Sequence, residues 1–173
     1  MEDNRSKKFI FVPFCMMAQA YQAQGIVKYD WKATIKPIMQ LLIDNDINII
    51  QMPCTEYTYN GLIRKPQGIS KYNTLEFNKN CDDLANKVII NIKNLLDAGY
   101  EIIAIMGIEQ SPSCCVNYIY TNHGMENRKG IFMEKIFSGL KEENIEIPMI
   151  GINRKYINKS LKELCKIIEK DSD

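Results

Sequence analysis

Apolar positions along this chain alternate between short dense runs and longer amphipathic stretches. Residues 8–14 (Lys8-Phe9-Ile10-Phe11-Val12-Pro13-Phe14), 47–53, 101–108 and 148–152 are short runs rich in Ile, Val and Phe, and they read as buried strands. Between them the apolar spacing lengthens to that of helices. Ile35, Ile38, Met39, Leu42 and Ile43 mark one face of a helix over 32–45, with Pro37 near its first turn, where a missing N–H does no harm. Leu84, Val88, Ile92, Leu95 and Leu96 mark a longer helix over 80–98, which Gly99 is placed to stop. Helices over 130–144 and 157–170 follow. Residues 55–78 and 109–129 show neither period and read as long irregular segments, a feature that in a compact domain is often functional.

The order β-α-β-α-β-α-β-α predicts an α/β fold. It is a Rossmann-like three-layer domain, with a mostly parallel sheet of about four strands and helices on both faces. No repeat, biased tract or linker divides the chain, so residues 1–173 read as a single domain with polar tails over about 1–6 and 171–173. Both irregular segments leave the carboxyl ends of strands, the edge where open α/β sheets bind ligands.

Composition narrows the function classes. Hydrophobic residues are 46% and charged residues 25%, as in an ordinary globular chain. A net charge of +1 offers no basic field for nucleic acid. No apolar run approaches the ~20 residues that span a bilayer. The opening residues are polar and the apolar stretch after them is too short for a secretion signal, so a cytoplasmic location and no membrane partner are expected. No G-x-G-x-x-G follows the first strand and no phosphate P-loop is present. Oligomeric state leaves no mark in the sequence.

The candidate chemistry lies in the cysteines. Of six, Cys15, Cys54 and Cys114 each follow a predicted strand. If those strands are parallel neighbours, three thiols converge on one edge of the sheet. In a reducing compartment, grouped cysteines bind metal or react, and soft thiolate sets favour zinc, copper(I) or iron–sulfur clusters. The bland alternative is core packing, since free Cys is often buried. It fits Cys81 and Cys165 best, because Cys165 repeats with Leu161, Leu164 and Ile168 on a helical face. Cys115 adjoins Cys114, and adjacent side chains diverge, so at most one of the two serves a common centre. Glu56 stands two residues after Cys54 and reads either as a general acid or base in the crevice or as a capping, solvent-facing acid. Ser111 and Ser113 bracket Pro112, either as a turn or as hydroxyls aimed into the crevice. Asp30 reads as a cap of the helix near residue 32. His123, the only histidine, reads as a turn residue. Met16, Met17, Tyr21 and Trp31 read as either an apolar rim or core.

At these residues the chain resembles the thiouracil desulfidase (TudS-type) family of small iron–sulfur enzymes. The resemblance is carried by Phe14-Cys15-Met16-Met17 with Tyr29-Asp30. It continues through Cys54-Thr55-Glu56, then Gly61-Leu62-Ile63-Arg64-Lys65-Pro66, and through Ser111-Pro112-Ser113-Cys114, with Gly130-Ile131-Phe132 before the following helix. It covers about residues 8–152 in order. Departures are Met16-Met17-Ala18 for the usual Leu-Leu-Gly, Thr55 for Pro, Trp31 for Gly, Cys115 for Gly, and Glu109-Gln110 where basic residues are usual. The resemblance implies a [4Fe-4S] cluster on Cys15, Cys54 and Cys114, with one iron left without a protein ligand. It implies a non-redox reaction that replaces the sulfur of a thiolated small molecule, such as a thiouracil-like thiocarbonyl, by oxygen from water and releases sulfide. Glu56 would be the base and Ser111 would position substrate or relay a proton. Two other readings of the same residues are a Cys₃ zinc hydrolase and a non-enzymatic Rossmann-like protein that binds sulfide or a cluster.

Overall fold

The structure, a computed structural model, describes residues 3–27 and 30–170. Tyr29 and the chain ends 1–2 and 171–173 lie outside the described residues. Four strands form one all-parallel sheet: β1 (Lys8–Pro13), β2 (Asn48–Met52), β3 (Glu101–Ile108) and β6 (Met149–Ile152), in the order β2-β1-β3-β6. Each connection carries at least one helix, as parallel pairing requires. The fold is α/β and Rossmann-like, with three layers. Helices α2 (Lys36–Asp44) and α7 (Ile157–Lys170) cover one face, where Ile38, Leu42 and Leu164 pack on Ile10, Val12 and Met106. Helices α5 (Leu75–Asp97) and α6 (Ile131–Glu142) cover the other, where Phe77, Ile92 and Phe132 pack on Phe11 and Ile105. Among the described residues no helix is long and apolar enough to cross a membrane.

Several boundaries differ from the sequence reading. Helix α2 begins at Lys36, not 32, because the preceding residues are bonded to the chain after β1. Ala33 O accepts from Gln19 N at 2.7 Å, and Met16 O accepts from Ile35 N at 2.9 Å and from Thr34 Oγ1 at 3.0 Å. Asp30 therefore does not cap α2; the residue before the helix is Ile35. Ile43, expected on the buried face, is 61% exposed. Helix α5 begins at Leu75, not 80, because the Thr74 hydroxyl accepts from Phe77 N at 3.1 Å and caps the first turn. Its fully buried stripe is Phe77, Cys81, Ala85, Val88, Ile89 and Ile92, with Leu84, Leu95 and Leu96 at the margin.

The segment read as a loop over 55–78 holds α3 (Thr55–Asn60) and α4 (Ile69–Tyr72). The segment over 109–129 holds an antiparallel hairpin, β4 (Ile119–Thr121) and β5 (Gly124–Glu126), whose turn contains the exposed His123. A four-residue α1 (Phe14–Met17) follows β1 directly.

Candidate active site

The strand order places the topological switch between β1 and β3, since the chain leaves β1 toward β2 and leaves β3 toward β6. Loops part there and open a crevice at the carboxyl edge. Cys15 enters it from α1, two residues beyond β1. Cys54 enters as the residue that precedes α3, beyond β2. Cys114 enters from the turn after β3. All three line one cavity of about 280 Å³, together with Glu56, Arg64, Ser111, Ser113 and Arg154. Cys54 and Cys114 are 8% and 7% exposed, and Cys15 is half-buried.

The Cys114 turn is held by close backbone packing. Cys114 O accepts from Ile108 N at 3.0 Å, which folds the turn back on its own strand. A Cβ at Gly107 would stand 2.2 Å from that oxygen, and one at Gly130 would stand 2.4 Å from the Ser113 carbonyl carbon. Only glycine permits both approaches. The amides of Ile131 and Met133 then donate to Pro112 O and Ser113 O, at 3.0 and 3.1 Å, and tie the turn to the start of α6. Cys115 points away from the cavity, and its thiol donates to Arg128 O at 3.1 Å within the core. Cys81 is also wholly buried in the core, while Cys165 is half-buried on α7 beside the buried Leu164 and Ile168.

Glu56 is the hub of the polar contacts. Its Oε1 accepts from Ser113 Oγ at 2.8 Å and from Ser111 Oγ at 3.3 Å, and its Oε2 accepts from Tyr72 Oη at 3.3 Å. Arg64 Nε lies 3.6 Å from Oε2, beyond hydrogen-bonding distance, and has no hydrogen-bond partner of its own. The same guanidinium donates to Tyr21 O at 2.6 Å and reaches Cys54 Sγ at 3.8 Å. Ser111 Oγ also accepts from the amides of Cys114 and Ser113, at 3.1 and 3.3 Å, so it staples the turn. Ser113 Oγ has the shorter bond to Glu56 and stands 3.5 Å from Cys114 Sγ.

Electrostatics of the bare pocket favour neutral thiols. Burial, then the neighbouring Cys54, pushes the Cys15 thiol up to about 12, with Arg154 opposing. Cys114 is raised well above its ordinary value by burial and then by Cys54 and Cys15, and Cys54 is raised chiefly by burial. These mutual effects follow from the three thiols lining one cavity. Three thiolates there need a compensating cation, which a metal centre brings and which Arg64 and Arg154 supplement. The donor set is soft, so it fits an iron–sulfur cluster. Among the described residues, no three or more His, Cys, Asp or Glu side chains are gathered to hold a single metal ion.

The sequence reading missed Tyr72, hidden in the segment taken as loop, and Arg154. Position marked Arg154, since it follows β6 at the same sheet edge. Of the proposed rim, Met16 is wholly buried core, Met17 and Trp31 pack partly against it, and Tyr21 stacks on Phe14 with ring centroids 3.8 Å apart.

Comparison with known proteins adds a relative but no activity. The chain is 29% identical over 167 residues to "Uncharacterized protein MJ0003" of Methanocaldococcus jannaschii, across 95% of this chain and 99% of that one. No family model matches the chain. No solved structure matches it.

Proposed function

We propose that this protein is a [4Fe-4S]-dependent, non-redox desulfidase that converts the C=S of a thiolated small molecule to C=O with water and releases sulfide. The observation that carries the reading is the convergence of Cys15, Cys54, Cys114 and Glu56 on one cavity from three adjacent strands. Those cysteines would hold the cluster, whose iron without a protein ligand supplies a soft Lewis acid for the thiocarbonyl sulfur. The residues of the chain do the proton work. Glu56 takes a proton from water as its oxygen adds to the thiocarbonyl carbon. Ser113 has the better hydrogen bond for relaying that proton, and Ser111 keeps the Cys114 turn in place. Arg64 keeps a positive charge beside the Glu56 carboxylate and the Cys54 sulfur. The balance is C=S plus H₂O giving C=O plus H₂S, and no electron changes hands. A cluster held by thiolates belongs in a reducing compartment, so the proposed site of action is the cytoplasm.

Anaerobic purification with iron and sulfide counts, followed by assay of 2- and 4-thiouracil and simple thioamides, tests the proposal. Near-stoichiometric iron and sulfide with turnover of a thiocarbonyl is the expected result. Zinc without sulfide would replace it by the Cys₃ zinc reading. A full cluster with no turnover of any thiocarbonyl would leave a cluster-binding protein.

A further inference from the structure

The Glu56 carboxylate is held from two sides. On the cavity side, Ser113 and Ser111 donate to Oε1 at 2.8 and 3.3 Å. On the core side, Tyr72 of α4 donates to Oε2 at 3.3 Å. Arg64 Nε stands 3.6 Å from the same oxygen, as a charge rather than a hydrogen-bond donor. The last torsion of a glutamate side chain has a broad, roughly two-fold profile, so a carboxylate bonded at one oxygen alone can swing. The Tyr72 bond removes that freedom.

Tyr72 is placed for this contact. Its side chain is 1% exposed, lies in the core and packs on Phe77 with ring centroids 4.6 Å apart. The Asn60 side chain, at the end of α3, also hydrogen-bonds the Tyr72 hydroxyl. An amide N–H given to the phenolic oxygen leaves the O–H proton to point at Glu56. Burial, then the Glu56 charge, pushes the Tyr72 hydroxyl up to about 12, so at neutral pH it keeps its proton and remains a donor.

Resting on the desulfidase reading, we infer that Tyr72 is the positioning residue for Glu56: its hydroxyl pins Oε2 on the core side, which keeps Oε1 facing the serines as the oxygen that takes the proton. The proton leaves water, passes through Ser113 Oγ and arrives at Oε1. Tyr72 keeps its own proton throughout, and no covalent bond to it forms or breaks. Without the pin the carboxylate turns, and Ser113 loses a fixed acceptor for the proton it relays.

The test compares Tyr72→Phe with wild type as anaerobic, cluster-loaded protein, on the thiouracil or thioamide that it turns over. Phe keeps the ring against Phe77 and removes only the hydroxyl. Iron and sulfide counts and KM are expected to stay at wild-type values. The kcat is expected to fall roughly 10-fold, the low end for a hydrogen bond to a charged group, because this bond is long. In a Glu56→Gln background the same substitution is expected to cost nothing further, since the carboxylate it positions is gone. An unchanged kcat in Tyr72→Phe would overturn the inference. So would an equal fold-loss in both backgrounds, because the tyrosine would then act through packing alone.

Infrared difference spectra of the same proteins separate this inference from the reading beneath it. A shift of a carboxylate stretching band between wild type and Tyr72→Phe, absent when both carry Glu56→Gln, supports the pin even if no thiocarbonyl is turned over or the variant loses iron. Absence of that shift overturns the pin whatever the activity. Wild-type turnover with no band shift sinks the pin and leaves the desulfidase reading standing, whereas a band shift without any turnover removes the desulfidase reading alone.

Discussion

The two ends of the sheet treat charge in opposite ways. At the amino end, Asp3 pairs with Arg5 at 2.8 Å and with Lys7 at 2.6 Å, and all three side chains remain in water. Such pairs contribute little to stability. At the carboxyl end, Arg64 and Glu56 are 5% and 13% exposed, yet stand 3.6 Å apart. The good geometry is where it matters least, and the buried pair is the loose one. Gln19, Gln22, Thr55, Arg64, Glu109, Ser113 and Ser160, the buried polar residues among those described, all lie beyond the carboxyl ends of strands. Burying polar groups is costly, and a packed apolar edge would be as stable or more so. The carboxyl edge is therefore built for something other than stability, and the comparison can be broken by removing its parts one at a time.

Replacing Cys15, Cys54 or Cys114 by Ser should have the largest effect. Each should remove most of the iron and reduce desulfuration to background, while Cys81→Ser keeps its iron because that thiol is wholly inside the core. Iron and sulfide counts on the four variants check this. Equal iron loss in Cys81→Ser and Cys114→Ser would erase the distinction between edge and body. Next in size is Glu56→Gln. The serine hydroxyls that donate to Oε1 can turn and accept from an amide instead, so the local structure should hold. Cluster content should be unchanged, with turnover reduced by roughly 10²–10⁴-fold, the usual general-base contribution. A normal rate with a normal cluster would remove Glu56 from the mechanism.

The body of the molecule was more legible than its edge. β3 and α7 occupy their predicted spans because period and length alone define buried strands and amphipathic helices. The starts of α2 and α5 were not legible, because tertiary hydrogen bonds from Met16 O and the Thr74 cap decide them. At the edge, the equivalent positions of the three cysteines after successive strands sufficed to bring them together. Tyr72 did not show itself, since its role comes from long-range folding of a loop onto Glu56, and Arg154 was marked only by its position after β6. Ser111 and Ser113 were visible as a pair, but only geometry divides them into turn staple and carboxylate partner.

The core thiols give a pH test with a fixed sign. Burial raises Cys81 to about 12 and Cys115 to about 11, against an ordinary value of 9.0. Folding thus favours the protonated thiols. Their contribution is fully present below pH ~9 and is lost as pH rises toward the folded values, because the unfolded chain releases its protons first. The unfolding free energy of cluster-free protein, from urea titrations, should fall between pH 9 and 11, by up to roughly 1.4 kcal/mol per pH unit for each thiol. Cys81→Ala should flatten that slope. A stability that is level or rising over this window would mean the thiols are solvated.

The smallest expected effect belongs to the body and leaves the edge untouched. Thr74 accepts from Phe77 N at 3.1 Å and thereby fixes where α5 starts, far from any cavity thiol in role though on the same chain segment as Tyr72. Thr74→Ala deletes one of the bonds that satisfy the free amides of the first turn. It should cost about 1 kcal/mol, in the range of roughly 0.5–2 kcal/mol for lost caps. Tyr72 lies two residues before the cap and meets Glu56 at 3.3 Å, and Tyr59 of α3 meets Thr74 Oγ1 at 3.4 Å and Glu76 Oε2 at 3.3 Å, so fraying of the first turn reaches the site through these tyrosines. Phe77, wholly buried and packed on Tyr72 with ring centroids 4.6 Å apart, keeps the tyrosine seated when the cap is gone. Thr74→Ala should therefore lower the denaturation midpoint while leaving iron content and desulfuration rate within experimental error. If activity falls in step with stability, the start of α5 belongs to the active edge and the division between body and edge must be redrawn at residue 74.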